Sequence, residues 1–440
     1  MAIASRRRST IGAAVLALLL TTAACGTSGP GETGSEGSSG ADLHLWTLQN
    51  EGINEVQQAA IDRFNEEHDA SLEMTTYVND PYKSKLQTSI GSPNAPDIFY
   101  NWGGGNLEQY VDADQVAPLT EALDENPDVR DAFLPSVLDV GTVDGEVYGV
   151  PMQGVQPVSF FYNKDVFAEA GIEEFPATWT EFMDAVDKLK AIDVQPIALA
   201  GSQGWTELMY LEYFLDRLGG PEKFQAIVAG EPGAWQDEAV VESMRMVREL
   251  VDAGAFGTNY ASVNYDNQGS QALLTSGRAA MELMGSWEVT GLNDNFPEFI
   301  EAGTLGWADF PAIEGGAGNP DSIVGNPSNF YSVSSQSDDV EAAVEFLMTQ
   351  MTSDEYVQGM MEVGQVPAIA GLEDQVGEGT FGDFNTYAYE MVRDAPSFTQ
   401  SWDQALPPDL SQTMLTNIQQ VFNGQMTPEE FADAMEQAAQ

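Results

Sequence analysis

Asp42-Leu43-His44-Leu45-Trp46-Thr47-Leu48 is the stretch of sequence that decides the fold. Leu43 and Leu45 alternate with Asp42 and His44, and this period of two predicts a β-strand. Over the following residues, 55–67, Val56, Ala60 and Phe64 recur at the spacing of one helix face, which predicts a helix. A strand that leads straight into a helix is the building unit of α/β folds.

The same alternation continues towards the C-terminus. Further strands are predicted at 97–100, 147–150, 158–162, 196–200, 279–284 and 330–333. Between and after them, Thr-x-x-Glu capping boxes predict helix starts at 178–181, 352–355 and 427–430. Alternating strands and helices of this kind predict an α/β fold for the chain.

The composition excludes several classes of protein. The chain has 440 residues, enough for two or three domains, and with 43% hydrophobic residues and 8 Trp it cannot be disordered over most of its length. The 69 acidic residues outnumber the 16 basic ones, a formal net charge of −53. Because such a surface repels phosphate backbones, we expect no nucleic-acid partner.

The scarcity of histidine and cysteine excludes the catalytic and metal sites that depend on them. His44 and His68 are the only histidines and Cys25 is the only cysteine. This excludes His-rich metal sites, Cys-ligated zinc and most Ser-His-Asp arrangements. We therefore expect neither a bound metal nor a cofactor.

The N-terminus predicts export. Arg6, Arg7 and Arg8 precede an apolar run at 11–20 and small residues up to the cysteine, which is the pattern of a signal peptide over residues 1–24. The segment resembles a bacterial lipoprotein signal, which implies lipid attachment at Cys25, although Thr22 stands where that family usually has Leu. Residues 25–40 are rich in Gly and Ser, a composition typical of a flexible tether.

Removal of the signal makes the protein more acidic still. Thirteen basic and 69 acidic residues remain, a net charge of −56 spread along the chain. One interpretation is an ordinary acidic secreted protein, and the other is adaptation to high salt, which screens repulsion between carboxylates. Adaptation to high salt predicts that added NaCl raises the unfolding midpoint well beyond its effect on a less acidic homologue, and the other interpretation does not.

Several segments together carry a resemblance to a known family. They are Pro96-Asp97-Ile98 before a Gly-rich loop, Asp144-Gly145-Glu146-Val147-Tyr148-Gly149-Val150-Pro151, Phe161-Tyr162-Asn163-Lys164-Asp165-Val166-Phe167, Pro-x-Thr-Trp-x-Glu-Phe at 176–182, the Gly-Ser-Trp element at 276–287, Gly306-Trp307-Ala308-Asp309-Phe310-Pro311 and the Glu-Ala-Ala element at 341–347. In this order they resemble the extracellular solute-binding proteins of bacterial ABC importers, specifically the sugar-binding group.

The resemblance implies an α/β, periplasmic-binding-protein-like fold with two lobes, a hinge and a ligand cleft between the lobes. It places lobe 1 at 41–152 plus 310–365 and lobe 2 at 153–309 plus 366–440. The chain is expected to pass between lobes near 150–156, 305–311 and 363–367, where glycine or proline occurs each time.

The resemblance also implies a function without catalysis. The protein would capture a sugar outside the cell membrane, to which a lipid anchors it, and deliver it to ABC permease subunits driven by a cytoplasmic ATPase. Several tryptophans favour a di- or oligosaccharide over a single sugar ring, and we expect the protein to be a monomer.

Candidate sugar ligands are the aromatic, amide and carboxylate side chains that follow strand ends, where α/β folds bind ligands. Strand ends alone nominate Trp46, Asn50, Glu51, Asn101, Trp102 and Trp205. The glycines 103–105 that follow Trp102 would give a sugar room at the backbone. The resemblance adds Trp287, Glu288, Gln153, Asn329, Trp402 and Asp403.

Two other functions remain open at this stage. A secreted glycosidase would need two carboxyl groups at a defined separation, and no local motif nominates such a pair. Cleavage of an oligosaccharide would identify it. A polyamine receptor would suit an acidic cleft with aromatic side chains, and a thermal-shift panel of sugars, polyamines and amino acids would distinguish it.

Overall fold

The computed structural model describes residues 42–68 and 71–440; the predicted signal peptide, Cys25 and the tether lie outside them. The described strands are β1 (Asp42–Leu48), β2 (Ser71–Tyr77), β3 (Ile98–Asn101), β4 (Thr142–Val143), β5 (Glu146–Val147), β6 (Val150–Pro151), β7 (Gly154–Asn163), β8 (Gln195–Ala198), β9 (Ala279–Gly285), β10 (Leu305–Ala308), β11 (Ile323–Asn326), β12 (Phe330–Val333), β13 (Val366–Pro367) and β14 (Phe398–Gln400).

Helices connect these strands in the described part of the chain. They are α1 (Glu51–Glu67), α2 (Asn79–Ser89), α3 (Gly104–Asp112), α4 (Thr120–Glu125), α5 (Pro127–Ala132), α6 (Pro135–Leu138), α7 (Lys164–Glu169), α8 (Trp179–Ala191), α9 (Gly204–Gly219), α10 (Glu222–Val228), α11 (Glu238–Asp252), α12 (Gly269–Thr275), α13 (Glu288–Asn295), α14 (Pro297–Glu301), α15 (Val340–Gln350), α16 (Asp354–Glu362), α17 (Gly382–Asp394), α18 (Trp402–Ala405), α19 (Pro408–Phe422) and α20 (Pro428–Ala438).

The first sheet has the strand order β2-β1-β3-β12-β6 and contains the stretch that opens the fold. β1 is parallel to both β2 and β3, whereas β12 is antiparallel to β3 and β6. The predicted strand is confirmed over its full length, with Leu43 and Leu45 fully buried. The predicted helix is also confirmed but begins earlier, because the Asn50 side chain accepts a hydrogen bond from the Ile53 backbone N–H and caps α1.

The second sheet is built around β7, which lies between β11 and β9 in the order β14-β11-β7-β9-β8. β10 and β13 also pair with β7, antiparallel to it. The ten residues of β7 are buried except for Tyr162, as expected for an apolar strand covered on both faces.

Each sheet has its own core. One cluster of buried apolar side chains, which includes Phe64 and Phe99, packs on the first sheet, and a second, which includes Phe160 and Phe214, packs on the second sheet. We call each sheet with the helices packed on it a lobe. The predicted two-lobed α/β fold is confirmed.

One of the three expected passages between the lobes is wrong. The chain leaves the first sheet after Pro151 and enters the second at Gly154, as expected, and it re-enters the second sheet at β13 after β12. The middle passage does not occur near 305–311, because β10 pairs with β7 and Phe310 stacks on Tyr213 in the second core at 4.5 Å. The second change of sheet comes between β11 and β12, so residues 310–326 lie with the second lobe.

Two local predictions, the helix cap at 352 and the strand at 147–150, are wrong because neighbouring groups make the hydrogen bonds instead. The capping boxes at 178–181 and 427–430 form, but α16 is capped by Ser353, whose hydroxyl accepts from Tyr356 N–H, and not by Thr352. The predicted strand at 147–150 is divided into β5 and β6, because the N–H groups of Tyr148 and Gly149 donate to the Gly141 carbonyl.

The second lobe buries carboxyl groups that have few or no hydrogen-bond partners to offset the loss of hydration. Glu207 on α9 is 0% exposed, and neither of its carboxyl oxygens has a hydrogen-bond partner among residues 42–68 and 71–440. Burial raises the pKa of Glu207 to about 9. Burial also raises the pKa of Glu212 to about 8, although Ser401 and the Trp402 N–H donate hydrogen bonds to it.

These carboxyl groups predict that the protein is less stable at higher pH. A folded state with raised carboxyl pKa values binds more protons than the unfolded state above about pH 4.3, the ordinary value for Glu, so the free energy of unfolding falls as the pH rises towards 9. Urea midpoints measured between pH 5 and pH 9 should therefore fall. Glu207→Gln should flatten this dependence, and an unchanged slope in the variant would contradict it.

Candidate functional site

A cleft of about 310 Å³ lies between the two lobes and is lined by residues of both. Its volume is within the range of small-molecule sites. The lining includes the residues that follow β1, β3 and β9 and the start of α9, which comes after β8. The cleft is therefore at the edge of the sheets where α/β folds bind ligands.

Four amide side chains form the floor of the cleft, which we call the amide floor: Gln153, Gln156, Asn326 and Asn329. The Nδ2 atom of Asn329 donates to Oε1 of Gln153 at 3.1 Å and to Oε1 of Gln156 at 2.9 Å. All four residues are nine-tenths or more buried, so these bonds are made away from bulk water, and the floor has a fixed arrangement of polar groups.

The amide floor also joins the chain passages between the lobes. Gln153 lies in the first passage and Asn329 in the second. Gln153 Nε2 donates to Gln365 Oε1 at 3.3 Å, and Gln365 precedes β13 in the third passage. The Tyr356 hydroxyl donates to the Met152 carbonyl at 2.6 Å. Hydrogen bonds therefore connect all three passages.

Three aromatic side chains of the second lobe form one wall of the cleft, which we call the aromatic wall: Trp205, Tyr265 and Trp287. The Trp205 and Tyr265 rings meet edge to face, with centroids 5.2 Å apart and planes at 82°. The Trp205 and Trp287 rings are 6.3 Å apart and inclined at 56°. All three are partly exposed, so the wall offers apolar ring surface in different orientations.

The Trp287 ring occupies space that a side chain at position 285 would fill. Its ring lies against Gly285, the last residue of β9, where a Cβ atom would overlap the ring. The backbone of Gly285 is not in the left-handed region, so its role is to provide space for the ring and not an unusual turn.

A buried carboxyl group supports the aromatic wall from behind. Glu288 is fully buried, and its Oε2 atom accepts hydrogen bonds from the Tyr265 hydroxyl at 2.8 Å and from Gln271 Nε2 at 3.1 Å. Both donors line the cleft. Burial raises the pKa of Glu288, and the two hydrogen bonds oppose that rise.

Charged side chains connect the two lobes at the cleft. Lys83 on α2 lies 3.3 Å from the Asp403 carboxylate on α18, and its ammonium group is 4.9 Å from the centre of the Trp102 ring. On another side, Asp294 of α13 accepts a hydrogen bond from the Gly52 N–H at the start of α1 at 3.1 Å. Both contacts join the lobes.

The structure brings together eight of the twelve predicted site residues in the lining of the cleft: Asn50, Glu51, Trp102, Gln153, Trp205, Trp287, Asn329 and Asp403. Four others do not line it: Trp46, Asn101, Glu288 and Trp402. Two of these four lie in the first lobe and two in the second.

The two first-lobe residues that do not line the cleft, Trp46 and Asn101, make contacts within the first lobe instead. The Trp46 ring packs edge-on against Tyr77 and beneath the Lys85 ammonium, and it is 9% exposed. Asn101 is fully buried, where its amide donates to Ser332 and accepts from the Gly103 N–H. Asn101 therefore shapes the turn after β3.

The two second-lobe residues that do not line the cleft, Glu288 and Trp402, are buried. The Trp402 ring stacks on Phe224 at 4.4 Å and meets Trp235 edge-on, so it belongs to the core. Glu288 contacts the wall residues and not the cleft. Of the adjacent pair that was predicted at 402–403, only Asp403 reaches the lining.

The glycine-rich turn does not make room for a ligand. Gly103, Gly104 and Gly105 are absent from the lining of the cleft. A Cβ atom on Gly105 would lie 2.8 Å from the Ala405 carbonyl oxygen, and one on Gly104 would meet the Gln400 side chain. The glycines therefore allow the second lobe's segment at 400–405 to approach closely.

Sequence reasoning missed several lining residues. Some are in segments that carried a signal, such as Gln49 beside Asn50 and Asn326 near Asn329. Others, such as Lys83, Tyr265 and Gln271, gave no local signal, because they lie on helices or loops whose place at the cleft depends on the packing of both lobes.

The comparison with known families is decisive. The family model for bacterial extracellular solute-binding proteins matches residues 49–358, more than half of the chain. The chain belongs to this family. This solute-binding protein is therefore extracytoplasmic by family, and the family is one of binding proteins.

Relatives of this solute-binding protein include two whose names describe them as sugar-binding. A multiple sugar-binding protein from Streptococcus mutans is 28% identical over 237 residues, 53% of this chain and 54% of that protein. A xylose/arabinose-binding protein from Haloferax volcanii is 26% identical over 266 residues, 58% of this chain and 55% of that protein. The chain thus spans about half the length of the curated relatives it matches.

Solved structures match over nearly the whole described fold. A chitin oligosaccharide binding protein has a TM-score of 0.81 and 26% identity, and the match covers 91% of this chain and 98% of that one. A structure from work on xylan utilization by Caldanaerobius polysaccharolyticus has a TM-score of 0.80 and 27% identity, with 90% and 99% covered.

The described residues of this solute-binding protein contain neither a metal-binding cluster nor a membrane-spanning helix. Among residues 42–68 and 71–440, no group of three or more His, Cys, Asp or Glu side chains could hold a metal ion. In the same part of the chain, none of the helices has the length and apolar character that a membrane span requires.

The contact between Gly285 and Trp287 predicts the effect of one methyl group. Gly285→Ala should displace the Trp287 ring. For a ligand that stabilises the wild type, the free energy of binding should then weaken by about 1 to 3 kcal/mol, the range for aromatic stacking contacts. Titration calorimetry measures the loss. Gly377→Ala, at an exposed turn where a Cβ meets only Thr386 at 3.4 Å, is the control, and equal affinities would contradict the prediction.

Proposed function

We propose that the protein binds a di- or oligosaccharide in the cleft and delivers it to an ABC importer. The observation that carries the proposal is the aromatic wall beside the amide floor in a family member with sugar-binding relatives. Aromatic rings suit the apolar faces of a sugar, and amides suit its hydroxyl groups, because planar polar side chains can engage neighbouring hydroxyls in pairs.

The inclination of the two tryptophans supports more than one sugar ring. A single pyranose ring cannot stack on both Trp205 and Trp287, because their planes differ by 56°. The amide floor and first-lobe residues such as Asn50 and Glu51 line the same cleft as these rings. We therefore infer at least two sugar subsites.

The proposed ligand contacts include all eight predicted residues that line the cleft, and the lobes would close on the sugar about the three passages. Catalysis has no place in the proposal, which needs only binding and release. Permease subunits and a cytoplasmic ATPase are the proposed partners, by analogy with the family, and a single copy of the chain suffices.

We also propose that the mature protein is held at the outer face of the cell membrane by a lipid on Cys25, through the tether at 25–40. Cys25→Ala should then release the protein into the medium or leave it unprocessed, and an anchored mutant would exclude the lipid. Adaptation to high salt stays a prediction from the net charge.

A ligand panel tests the proposed function. Xylo-oligosaccharides, chitin oligosaccharides, arabinose, spermidine and amino acids are added to the purified protein, and the unfolding midpoint is measured. A ligand that binds only the folded state stabilises it by about 2.7 kcal/mol at a hundredfold excess over Kd. We expect stabilisation by at least one saccharide. Stabilisation by spermidine or an amino acid alone would contradict the proposal, as would cleavage of a saccharide.

Tryptophan variants then locate the site. Trp205→Ala and Trp287→Ala should each weaken saccharide binding by about 1 to 3 kcal/mol. Trp307→Ala is the matched control, since Trp307 is a partly buried tryptophan of the same lobe that packs on Phe384 and does not line the cleft. Equal affinity in all three variants would place the sugar elsewhere.

A further inference from the structure

A direct hydrogen bond joins the two lobes outside the lining of the cleft. Nε2 of Gln203, in the second lobe, donates to the carboxylate of Asp80, in the first lobe, at 3.2 Å. Neither residue is part of the cleft lining. We call this pair the outer clasp.

The strand order of the two sheets places the outer clasp away from the passages between the lobes. Asp80 is near the start of α2, which follows β2; β2 is one edge of the first sheet, and β6, which leads into the first passage, is the other. Gln203 follows β8, the edge of the second sheet farthest from β11, which leads into the second passage. Because a hinge rotation displaces distant points most, opening of the lobes would separate Asp80 from Gln203.

Helix α2 holds Asp80 firmly in the first lobe. Tyr82 of this helix is fully buried, and its hydroxyl donates to the Tyr100 carbonyl at 2.6 Å. Lys83 is three residues after Asp80 and therefore on the same face of the helix. Its ammonium lies 3.3 Å from the Asp403 carboxylate of the second lobe. One face of α2 thus carries two contacts with the other lobe.

The other end of the Gln203 amide reaches the aromatic wall. Oε1 of Gln203 accepts a hydrogen bond from the backbone N–H of Tyr265 at 2.7 Å, and Tyr265 is a member of the wall. Gln203 is only 4% exposed, so bulk water competes little for its amide. Because the amide group is planar and rigid, its two hydrogen bonds link the position of Asp80 to that of Tyr265.

Neighbouring charges act on the outer clasp in opposite directions. Burial raises the pKa of Asp266, which follows Tyr265 in the chain; the charge of Asp80 raises it further, whereas Gln203 and Lys83 lower it. Asp80 therefore approaches a second carboxylate across the lobes. The Gln203 amide and the Lys83 ammonium offset this repulsion.

We propose that the outer clasp forms when a saccharide closes the lobes, and that Asp80 is a positioning residue for sugar binding. Asp80 does not touch the sugar. Through Gln203 it fixes the segment that presents Tyr265 to the cleft. A contact made only in the closed form adds to the affinity for any ligand that closes the lobes. This inference rests on the proposed function, because it needs a saccharide that closes the lobes.

Asp80→Ala tests the role of the clasp. The dissociation constant of a saccharide that stabilises the wild type is measured by titration calorimetry. The variant should bind about threefold to tenfold more weakly, as expected when one hydrogen bond is lost. The dissociation rate should rise, because the lost contact belongs to the bound form. Asp80→Asn keeps a carbonyl oxygen that can accept from Gln203, so its loss should be smaller.

Asp62→Ala is the matched control. Asp62 is an exposed aspartate of the first lobe, and its Oδ1 atom accepts from Gln58 Nε2 on the same helix at 2.8 Å. The variant removes the same charge and the same kind of hydrogen bond, but within one lobe, so its affinity should equal that of the wild type. Equal losses in Asp62→Ala and Asp80→Ala would assign the effect to net charge and overturn the proposal.

A double-mutant cycle separates the clasp from a structural effect on α2. Gln203→Ala should weaken binding more than Asp80→Ala, because it also removes the bond to Tyr265. Adding Asp80→Ala to Gln203→Ala should then cause little further loss, since Asp80 no longer has its partner. Fully additive losses would contradict the clasp, and so would tighter binding by Asp80→Ala, which would show that repulsion from Asp266 dominates.

The ligand-free unfolding midpoint shows whether each variant folds, and the comparison of Asp80→Ala with Asp80→Asn and Asp62→Ala decides the question if Gln203→Ala does not. Failure of the clasp differs from failure of the proposed function. A wild type that binds a saccharide no more tightly than Asp80→Ala would overturn the clasp alone. A wild type that binds no saccharide would overturn both.

Discussion

The structure depends on the hydrogen bonds that join the three passages between the lobes. Gln153 is central, because it accepts from Asn329 of the second passage and donates to Gln365 of the third. These contacts are buried, so breaking one would leave polar groups unpaired away from water. The network therefore fixes where the lobes meet and which side chains form the floor of the cleft.

The two lobes contribute different chemistry to the cleft. The second lobe supplies the aromatic wall, and the first supplies polar side chains such as Asn50 and Glu51. A ligand that touches both stabilises the closed arrangement only by the difference in its affinity for closed and open forms. The contact between Lys83 and Asp403 and that between Asp294 and Gly52 also join the two lobes.

The sequence was informative where structure is local. Strand periodicity predicted β1, and residues directly after strand ends, such as Asn50 and Trp102, do line the cleft. It failed where distant packing decides: Trp402 is buried by Phe224, far away in the chain, and the glycine turn accommodates a backbone segment. The middle passage was placed at 305–311 by the resemblance, with a glycine and a proline as support, but residues 305–308 form β10, which stays paired with β7. Residues such as Tyr265 carried no pattern that relates them to a cleft.

The central claim is that a saccharide closes the two lobes about this network, and small-angle X-ray scattering tests it most directly. The radius of gyration is measured with and without a saturating saccharide that stabilises the protein, at constant salt. A Trp205→Ala, Trp287→Ala double variant that no longer binds serves as the control. The account predicts a smaller radius for the wild type with sugar and no change for the variant. An unchanged radius for the saturated wild type would contradict it.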